Sequence, residues 1–394
     1  MKSILVLGGG FAGLNAALAA VRVAGTHAEV TLISREPFLT IRPRLYEAEP
    51  DSLKASLSEP LATVGANFVV GDVTAIDPLL QQIDLADGRF LGYDRLIVAT
   101  GSVLRRPPVP GAELAYSIDE RASALVFDQR LKQIAVLPAP CIAVVGAGFT
   151  GIELALELRD RIAGHGGHAE AARIILIDHA DVVGAELGSG PRPAIEQALA
   201  EARIELWLGV RLSRLSERTL GFADGTSLST AAVVLCTGLE ASALVAGLPG
   251  PKDGDGRIVP DAFLRVPAAP AIFCAGDTVR GEADTGHPTL FSCQHALRLG
   301  KVAGENAARD LLDLPLLPYR QTRYVTCLDL GRSGAVLTAG WDRVPQKTGM
   351  EAKAIKTQIN RVLIYPPNGS REELLAYSEI DLPQGGSATT GELA

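Results

Sequence analysis

Two glycine-rich turns, each placed between an apolar run and a predicted helix, constrain this chain more than any other feature. The first turn is Gly8-Gly9-Gly10-Phe11-Ala12-Gly13 after the run 4–7, and the second is Gly146-Ala147-Gly148-Phe149-Thr150-Gly151 after the run 141–145. In such a G-x-G-x-x-G turn the first glycine permits the bend, the second admits a pyrophosphate, and the third lets helix and strand pack closely. The helix N-terminus then offers free N–H groups to the phosphates. Two turns of this kind predict two bound dinucleotides with electron transfer between them.

Composition narrows the class of protein. A chain of 394 residues predicts two or three domains. The net charge of −8 disfavours nucleic acid as a partner. No run approaches the roughly 18 apolar residues of a membrane span, and the strand at the N-terminus leaves no room for a signal peptide, so we expect a cytoplasmic protein. The five cysteines form no C-x-x-C pair, which argues against a redox dithiol. His165 and His168 lie in a Gly-rich helix exit, and no metal site is expected.

The strand–turn–helix–strand plan occurs twice, and Thr237-Gly238 occupies the place in the second unit that Thr100-Gly101 occupies in the first. The sequence therefore predicts an α/β fold with two Rossmann-like dinucleotide-binding domains and a small α+β C-terminal domain. We expect a discontinuous first domain (1–110 and 248–317), an inserted second domain (111–247), and a C-terminal domain (318–394) whose low-complexity end is disordered.

Periodicity and turn residues predict the individual elements. Helices are expected at 11–24, 149–163, 193–202, 289–312 and 350–363, and strands at 29–33, 67–70, 82–91, 173–177, 233–236, 271–275, 323–329 and 334–338. The stretch 35–61 contains four prolines and is predicted to be a long irregular loop, which in a compact domain is usually functional.

Together with Ala99-Thr100-Gly101 and Ala275-Gly276-Asp277, the two glycine turns resemble the two-dinucleotide-binding-domain flavoprotein superfamily. The resemblance covers roughly residues 1–312 and implies FAD on the first turn and the nicotinamide cofactor on the second. It implies that Asp277 hydrogen-bonds the ribityl or phosphate region of FAD and that 288–294 lie beside the flavin ring. The implied FAD residues are Gly8, Gly10, Phe11, Ala12, Gly13, Ser34, Arg35, Glu36, Arg42, Val73, Ala99, Thr100, Gly101, Gly276, Asp277, Ser292 and Cys293. The implied nicotinamide-cofactor residues are Gly146, Gly148, Phe149, Thr150, Gly151, Glu153, Asp178, His179, Thr237 and Gly238.

Within the superfamily the chain looks most like type II NADH dehydrogenases. Arg42-Pro43-Arg44-Leu45-Tyr46 resembles their F-x-P-x-L-Y segment, and residues 293–298 resemble their A-Q-x-A-x-Q quinone motif. Gln294 and Ala296 match that motif, whereas Cys293 and Arg298 depart from it. The resemblance implies hydride transfer from NADH to FAD and then to a quinone-like acceptor. It places Gln294, Pro43, Tyr46, Arg44 and Arg298 around the acceptor. The C-terminus lacks a strongly hydrophobic anchor, which implies at most peripheral contact with a membrane; a homodimer is possible.

Several residue roles stay open. Ser34 or Glu36 serves the adenosine ribose of FAD, with Arg35 beside the adenine. A carboxylate at Asp178 would accept from ribose hydroxyls and repel a 2′-phosphate, which favours NADH over NADPH. Glu153 either lies near the nicotinamide or is an exposed acid of the first helical turn.

Arg42, Arg44 and Arg298 form a second open question. They either clamp an anionic acceptor by forked hydrogen bonds, pair with surface carboxylates (Glu47, Glu49 and Asp51), or bind the FAD phosphates.

The function also has alternatives. Instead of an NADH dehydrogenase that reduces a quinone, the chain could be a flavoprotein reductase for a redox protein. It could also be a sulfide:quinone reductase-like enzyme that uses Cys293 and Cys327, or a non-enzymatic flavoprotein that senses NADH. The basic helix 350–363 touches a membrane surface, packs against the flavin domain, or packs across a dimer.

Overall fold

The structure is a computed structural model that describes residues 1–216 and 218–380. Its strands, numbered along the chain, are β1 (Lys2–Leu7), β2 (Ala28–Ser34), β3 (Phe38–Thr40), β4 (Lys54–Ser56), β5 (Asn67–Val70), β6 (Val73–Asp77), β7 (Gln82–Leu85), β8 (Phe90–Gly92), β9 (Arg95–Val98), β10 (Ser102–Leu104), β11 (Tyr116–Ser117), β12 (Cys141–Val145), β13 (Arg173–Ile177), β14 (Glu205–Trp207), β15 (Leu212–Leu215), β16 (Thr219–Phe222), β17 (Ser227–Ser229), β18 (Ala232–Leu235), β19 (Leu239–Ala241), β20 (Arg265–Val266), β21 (Ala269–Cys274), β22 (Glu282–Asp284), β23 (His287–Pro288), β24 (Val325–Asp329), β25 (Ala335–Ala339) and β26 (Val344–Thr348). The α-helices are α1 (Phe11–Ala24), α2 (Ser58–Val64), α3 (Arg121–Ala135), α4 (Phe149–Gly164), α5 (Arg192–Glu201), α6 (Cys293–Leu311), α7 (Gly349–Gln358) and α8 (Arg371–Tyr377).

The first large sheet has the first glycine turn at its centre. Its strand order is β20-β21-β9-β1-β2-β5, and all pairings are parallel except that of β20. Ile4, Leu5, Val6 and Leu7 are buried because β1 lies between β2 and β9 and is covered on both faces, which explains the uninterrupted apolar run. A crevice opens at the carboxyl end of β1, where the chain turns into α1 and the neighbouring connections leave in opposite directions.

The second large sheet repeats this plan. Its order is β11-β18-β12-β13-β14, with every pairing parallel. The central strand β12 lies between β13 and β18, so that Val144 is opposite both Leu176 and Val234. The two sheets, each followed by helices, confirm the predicted α/β class with two Rossmann-like units. The boundaries near residues 110, 247 and 317 stay predictions.

A short antiparallel pair connects the two units. β10 begins directly after Thr100-Gly101, β19 begins directly after Thr237-Gly238, and Val103 lies opposite Glu240. The ends of the two central crevices are therefore held next to each other by main-chain hydrogen bonds.

The C-terminal part of the described chain is an antiparallel sheet, β24-β25-β26, followed by α7 and α8. A π-helix, Ile359–Leu363, continues α7. A capping box formed by Ser370 and Glu373 starts α8. The predicted disordered tail lies outside the described residues.

The structure corrects several predicted elements. The helix expected from 289 begins only at Cys293, because residues 287–288 pair with 282–284 and the Ser292 hydroxyl caps the helix by accepting from the His295 N–H. The expected strand 82–91 is two strands separated by a turn at Gly88. The irregular loop 35–61 contains the hairpin β3–β4 and the start of α2. Sequence reasoning missed α3, α8 and β26. In the described ranges 1–216 and 218–380, no helix is both long enough and apolar enough to cross a membrane.

Candidate functional site

The two glycine turns have the same construction. Gly8 and Gly146 have φ angles of +109° and +107°, a region that L side chains rarely adopt. The Gly8 N–H donates to Ile33 O at 2.8 Å, and the Gly146 N–H donates to Ile177 O at 2.7 Å. Each turn is thereby tied to the strand beside it, and each helix after it starts with no described side chain capping its first N–H groups. Both helix starts can therefore receive phosphate oxygens.

The glycines of each turn have different tasks. A methyl group on Gly13 would meet Gly8 O, and one on Gly151 would meet Gly146 O, so these third glycines allow close packing rather than ligand contact. Gly10 has nothing within 4 Å of the same position. The open side of the first turn is therefore at its second glycine, where a pyrophosphate would approach.

One cleft of about 2070 Å³ runs between the two glycine turns. All predicted site residues line it except Gly13, Gly151 and Arg44. Most of the predicted set therefore faces one cavity, although the ligand contacts themselves stay predictions. The volume and the two uncapped helix starts fit a pair of dinucleotides.

Asp277 lies where the two units and the loop after β3 meet. The Ser102 hydroxyl donates to its Oδ2 at 2.7 Å, and Arg42 Nη1 lies 4.0 Å from the same oxygen. Arg42 also donates from Nη2 to Asp119 Oδ1 at 2.7 Å. Burial opposes the charge of Arg42, but Asp119 and Asp277 outweigh it and raise the arginine pKa above its usual value. Arg42 is therefore a fixed cation in the cleft whose charge is balanced by two carboxylates.

The structure does not bring the three arginines together. Both Nε and Nη2 of Arg44 donate to the Glu47 carboxylate, at 2.9 and 2.7 Å, and Nη1 donates to Tyr365 Oη at 2.8 Å. Arg44 thus faces away from the cleft, as in the surface-pairing alternative. Arg298 lines the cleft but donates to the main-chain carbonyls of Arg320 and Ile380. A clamp formed jointly by Arg42, Arg44 and Arg298 is therefore wrong.

At the second glycine turn, Asp178 joins the strand end to the turn. Its Oδ2 accepts from the Ala147 N–H at 2.6 Å, and its Oδ1 accepts from the Ala180 N–H at 2.8 Å. Sequence reasoning missed Glu186, whose Oε1 lies in front of Gly148, where a methyl group would collide with it. Two carboxylates therefore lie beside the second glycine turn.

The first turn of α6 reaches the cleft with Ser292, Cys293 and Gln294. The Gln294 Oε1 is buried and has no hydrogen-bond partner among the residues that the structure describes. A buried amide oxygen without a partner is costly, because it has lost its water. Gln294 is therefore a candidate for direct contact with a bound ring or substrate.

A buried ion pair faces the same cleft. Lys356 Nζ lies 2.8 Å from Glu153 Oε1, and the two side chains are 8% and 5% exposed. Burial raises the pKa of Glu153 despite the lysine, while Glu153 raises the pKa of Lys356 against its own burial. The alternative of an exposed first-turn acid at Glu153 is therefore wrong. Because Lys356 is buried, the helix expected at 350–363 packs this lysine inside the protein.

The cleft-lining cysteines are unsuited to thiolate chemistry. Burial raises the pKa of Cys293 to about 11 and that of Cys327 to about 12. Both thiols therefore stay protonated near neutral pH, whereas the thiolate is the nucleophile. The sulfide-oxidising alternative stays a prediction, which the burial of these two thiols disfavours.

Sequence reasoning missed four residues that line the cleft, Ser102, Asp119, Lys356 and Asn360. Ser102 had a usable signal, since it follows Gly101 directly at the end of a central strand. The other three lie far along the chain from their partners and have no motif of their own.

Comparison with known proteins identifies the protein family to which the chain belongs. The chain belongs to the pyridine nucleotide-disulphide oxidoreductase family, whose profile matches residues 2–303. It is therefore an oxidoreductase of the class that binds a flavin and a pyridine nucleotide.

The chain is similar along most of its length to individual proteins and solved structures. The chain is 41% identical to the NADH dehydrogenase-like protein Rv1812c of Mycobacterium tuberculosis over 95% of this chain and 98% of that protein. It is 29% identical to the demethylphylloquinone reductase NdbB of Synechocystis sp. over 85% and 86% of the two chains. Among solved structures, the sulfide:quinone oxidoreductase of Aquifex aeolicus superposes with a TM-score of 0.76 at 18% identity, covering 96% and 92%, which shows a shared fold.

Proposed function

We propose that the protein is an FAD-dependent NADH dehydrogenase that reduces a quinone. The observation that carries the proposal is the single cleft that joins both glycine turns, the unpartnered Gln294 Oε1 and the Glu153–Lys356 pair. The named relatives, an NADH dehydrogenase-like protein and a quinone reductase, support the same reaction.

We propose that FAD occupies the first turn. The open face at Gly10 and the uncapped start of α1 would receive its phosphates, and Asp277, held by Ser102, would accept hydrogen bonds from its hydroxyl-bearing chain. When bound, FAD would supply the redox chemistry, since it can accept a hydride from the nicotinamide and pass the two electrons on to the acceptor.

We propose that NADH is the preferred nucleotide of the second turn. Asp178 places a carboxylate at the end of the strand beside that turn, and a carboxylate there attracts ribose hydroxyls but repels a 2′-phosphate. The Asp178 oxygens each accept one main-chain hydrogen bond and retain capacity for another.

The acceptor end of the cleft contains Gln294 and the Glu153–Lys356 pair. NADH delivers a hydride, so the reduction of a quinone to a quinol takes up one further proton from solution. The pair can hold that proton beside the cleft, because Lys356 stays protonated and Glu153 has a raised pKa. Tyr46 and Pro43 border the same region.

Anaerobic stopped-flow spectroscopy tests the proposal. We expect NADH to bleach the flavin faster than NADPH, and a soluble ubiquinone analogue to reoxidise it rapidly. Gln294→Leu should slow the quinone step by about tenfold or more. Gln133→Leu, an exposed change on α3, is the matched control. Rapid bleaching without reoxidation by any quinone would contradict the proposed acceptor, and no bleaching by either nucleotide would contradict the proposed donor.

We also propose peripheral contact with a membrane. Quinones partition into lipid, and Met350 and Val362 are largely exposed on the helical segment 349–363. Co-sedimentation with anionic vesicles, lost in Met350→Glu/Val362→Glu, is the expected result. Equal sedimentation of the variant would contradict it.

A further inference from the structure

A second, smaller cavity lies directly beside the main cleft. It has a volume of about 160 Å³ and is lined by Tyr46, Glu47, Glu157, Asp329, Lys353, Lys356, Thr357, Asn360 and Arg361. Three of these residues, Tyr46, Lys356 and Asn360, also line the main cleft. The two cavities therefore share a wall formed by these three side chains.

The small cavity is suited to water. All nine lining side chains carry polar or charged groups, and the volume holds several water molecules with many partners available to each. Thr357 and Arg361 are exposed, so one side of the cavity reaches solvent. Water in this cavity can therefore connect bulk solvent with the shared wall.

Hydrogen bonds cross the shared wall. The Asp329 N–H donates to Glu153 Oε1 at 2.9 Å, and the Tyr46 hydroxyl donates to Asp329 Oδ2 at 3.2 Å. Asn360 Nδ2 donates to Tyr46 Oη at 3.2 Å, from the π-helix that follows α7. Such π-helical turns are frequent at functional sites. The wall is thus a connected polar network that ends at the Glu153–Lys356 pair.

Glu157 is the acid that reaches the small cavity from the second domain. It lies four residues after Glu153 on α4, so the two carboxyl groups are on one helix face. Several charged groups face the Glu157 carboxyl group. They are Asp329 from β24, Lys353 from α7, Glu47 from the loop after β3, and Asp160 and Arg161 from the same helix as Glu157. Burial, reinforced by Asp329 and Asp160, raises the pKa of Glu157 to about 7. Glu157 is therefore able both to give and to take up a proton near neutral pH.

We propose that Glu157 and the small cavity form the route by which a solvent proton reaches the acceptor end of the cleft. When the Glu153–Lys356 pair has given its proton to the reduced acceptor, the Glu157 carboxylic acid returns one to the pair through cavity water. Glu157 then regains a proton from solvent. No electrons move along this route, and its net effect is one proton from solvent to quinol. The inference rests on the proposed quinone reduction.

The two half-reactions of the holoenzyme test the route. Glu157→Gln keeps the size of the side chain but cannot ionise. Flavin bleaching by NADH should be unchanged, whereas reoxidation by a soluble ubiquinone analogue at pH 6 should slow by about tenfold. Reoxidation of the native protein should fall as pH rises through about 7, where Glu157 loses its proton, and the variant should lack that dependence.

The controls separate this route from the proposed function. Glu170→Gln removes a largely exposed carboxylate and should behave as the native protein, and Glu157→Asp should restore part of the rate and the pH dependence. A native protein that no quinone reoxidises overturns the proposed function and the route with it. A native protein that quinone reoxidises, with the same rate and pH profile in Glu157→Gln, overturns the route alone.

A spectroscopic titration gives a readout independent of turnover. In the holoenzyme, infrared difference spectra should show a carboxylic acid band that titrates near pH 7 and is absent from Glu157→Gln. Titration of that band near pH 4 would overturn the inference.

Discussion

A methyl group on Gly304 would collide with the helix that follows the first glycine turn. Gly300 and Gly304 on α6 face Ala12 and Ala16 on α1, so the two helix backbones lie in contact. The added carbon at Gly304 would lie 2.1 Å from Ala16 O, whereas ordinary contact begins near 3.4 Å, so the helices would have to separate by about 1.3 Å. The α1 side cannot retreat, because Leu14 and Leu18 are fully buried beneath it.

Gly304→Ala should therefore destabilise the protein and weaken flavin binding. Overpacking of this kind costs about 1–3 kcal/mol, partly offset by the better helix propensity of alanine. For a net loss of about 2 kcal/mol we expect a Tm lower by roughly 4–8 °C. Because the start of α1 belongs to the first glycine turn, the Kd for FAD should rise as well. Differential scanning fluorimetry and flavin titration of the protein without cofactors measure both effects.

Gly164→Ala is the matched control for this prediction. Gly164 is the last residue of α4, and nothing lies within 4 Å of a methyl group placed there. This variant should keep its Tm or gain slightly. If Gly304→Ala has the Tm and the FAD affinity of Gly164→Ala, the close backbone contact between α1 and α6 does not have the role assigned to it.

Three further predictions concern charged side chains. Lys356→Met leaves the Glu153 carboxylate buried without its partner, so urea unfolding should show a loss of about 3–5 kcal/mol at pH 8. Because burial raises the pKa of Glu153, that loss should shrink as the pH falls. Glu157→Gln should raise the free energy of unfolding by about 3 kcal/mol above pH 7 and leave that free energy unchanged at pH 4. The reason is that a carboxyl group with a raised pKa in the folded protein destabilises the fold progressively as the pH rises from about 4.5 to about 7. Glu186→Gln removes a negative charge in front of Gly148 and should lower the Kd for NADH about two- to fivefold in fluorescence titration.

Each of these has a control. Adding Glu153→Gln to Lys356→Met should recover most of the lost stability, and equal losses at pH 5 and pH 8 would contradict the buried-charge explanation. A pH-independent effect of Glu157→Gln would contradict its raised pKa. For Glu186, the exposed change Glu196→Gln should leave the Kd for NADH as it is, and a matching decrease there would point to a general effect of net charge.

Local sequence patterns were sufficient for the parts of the fold that neighbouring residues specify. The glycine turns, the strands before them and the helices α1 and α4 follow from apolar periodicity and from backbone conformations that only glycine adopts easily. The start of α6 was misplaced by four residues because apolar and polar residues at 289–292 continue a helical pattern, while Ser292 caps the helix and residues 287–288 pair in a hairpin.

The candidate site was predictable to the extent that its residues lie at the carboxyl ends of strands. Asp277, Asp178 and Gln294 were predicted because each follows a recognisable strand or motif, and all three line the cleft. Lys356 was not found, because a lysine beside Ile355 on an amphipathic helix has the pattern of a solvated face. Its burial depends on Glu153, which lies on α4 of the second Rossmann-like unit.

The sequence by itself determined that this chain has two glycine turns in two Rossmann-like units, since that information lies within a few residues of each turn. Only the tertiary structure decided that Arg44 faces away from the cleft, that Glu153 is paired with Lys356, and that a polar cavity lined by Glu157 adjoins the cleft. The physical reason is that charge balance and burial depend on residues distant along the chain, which only the folded molecule brings within hydrogen-bond distance.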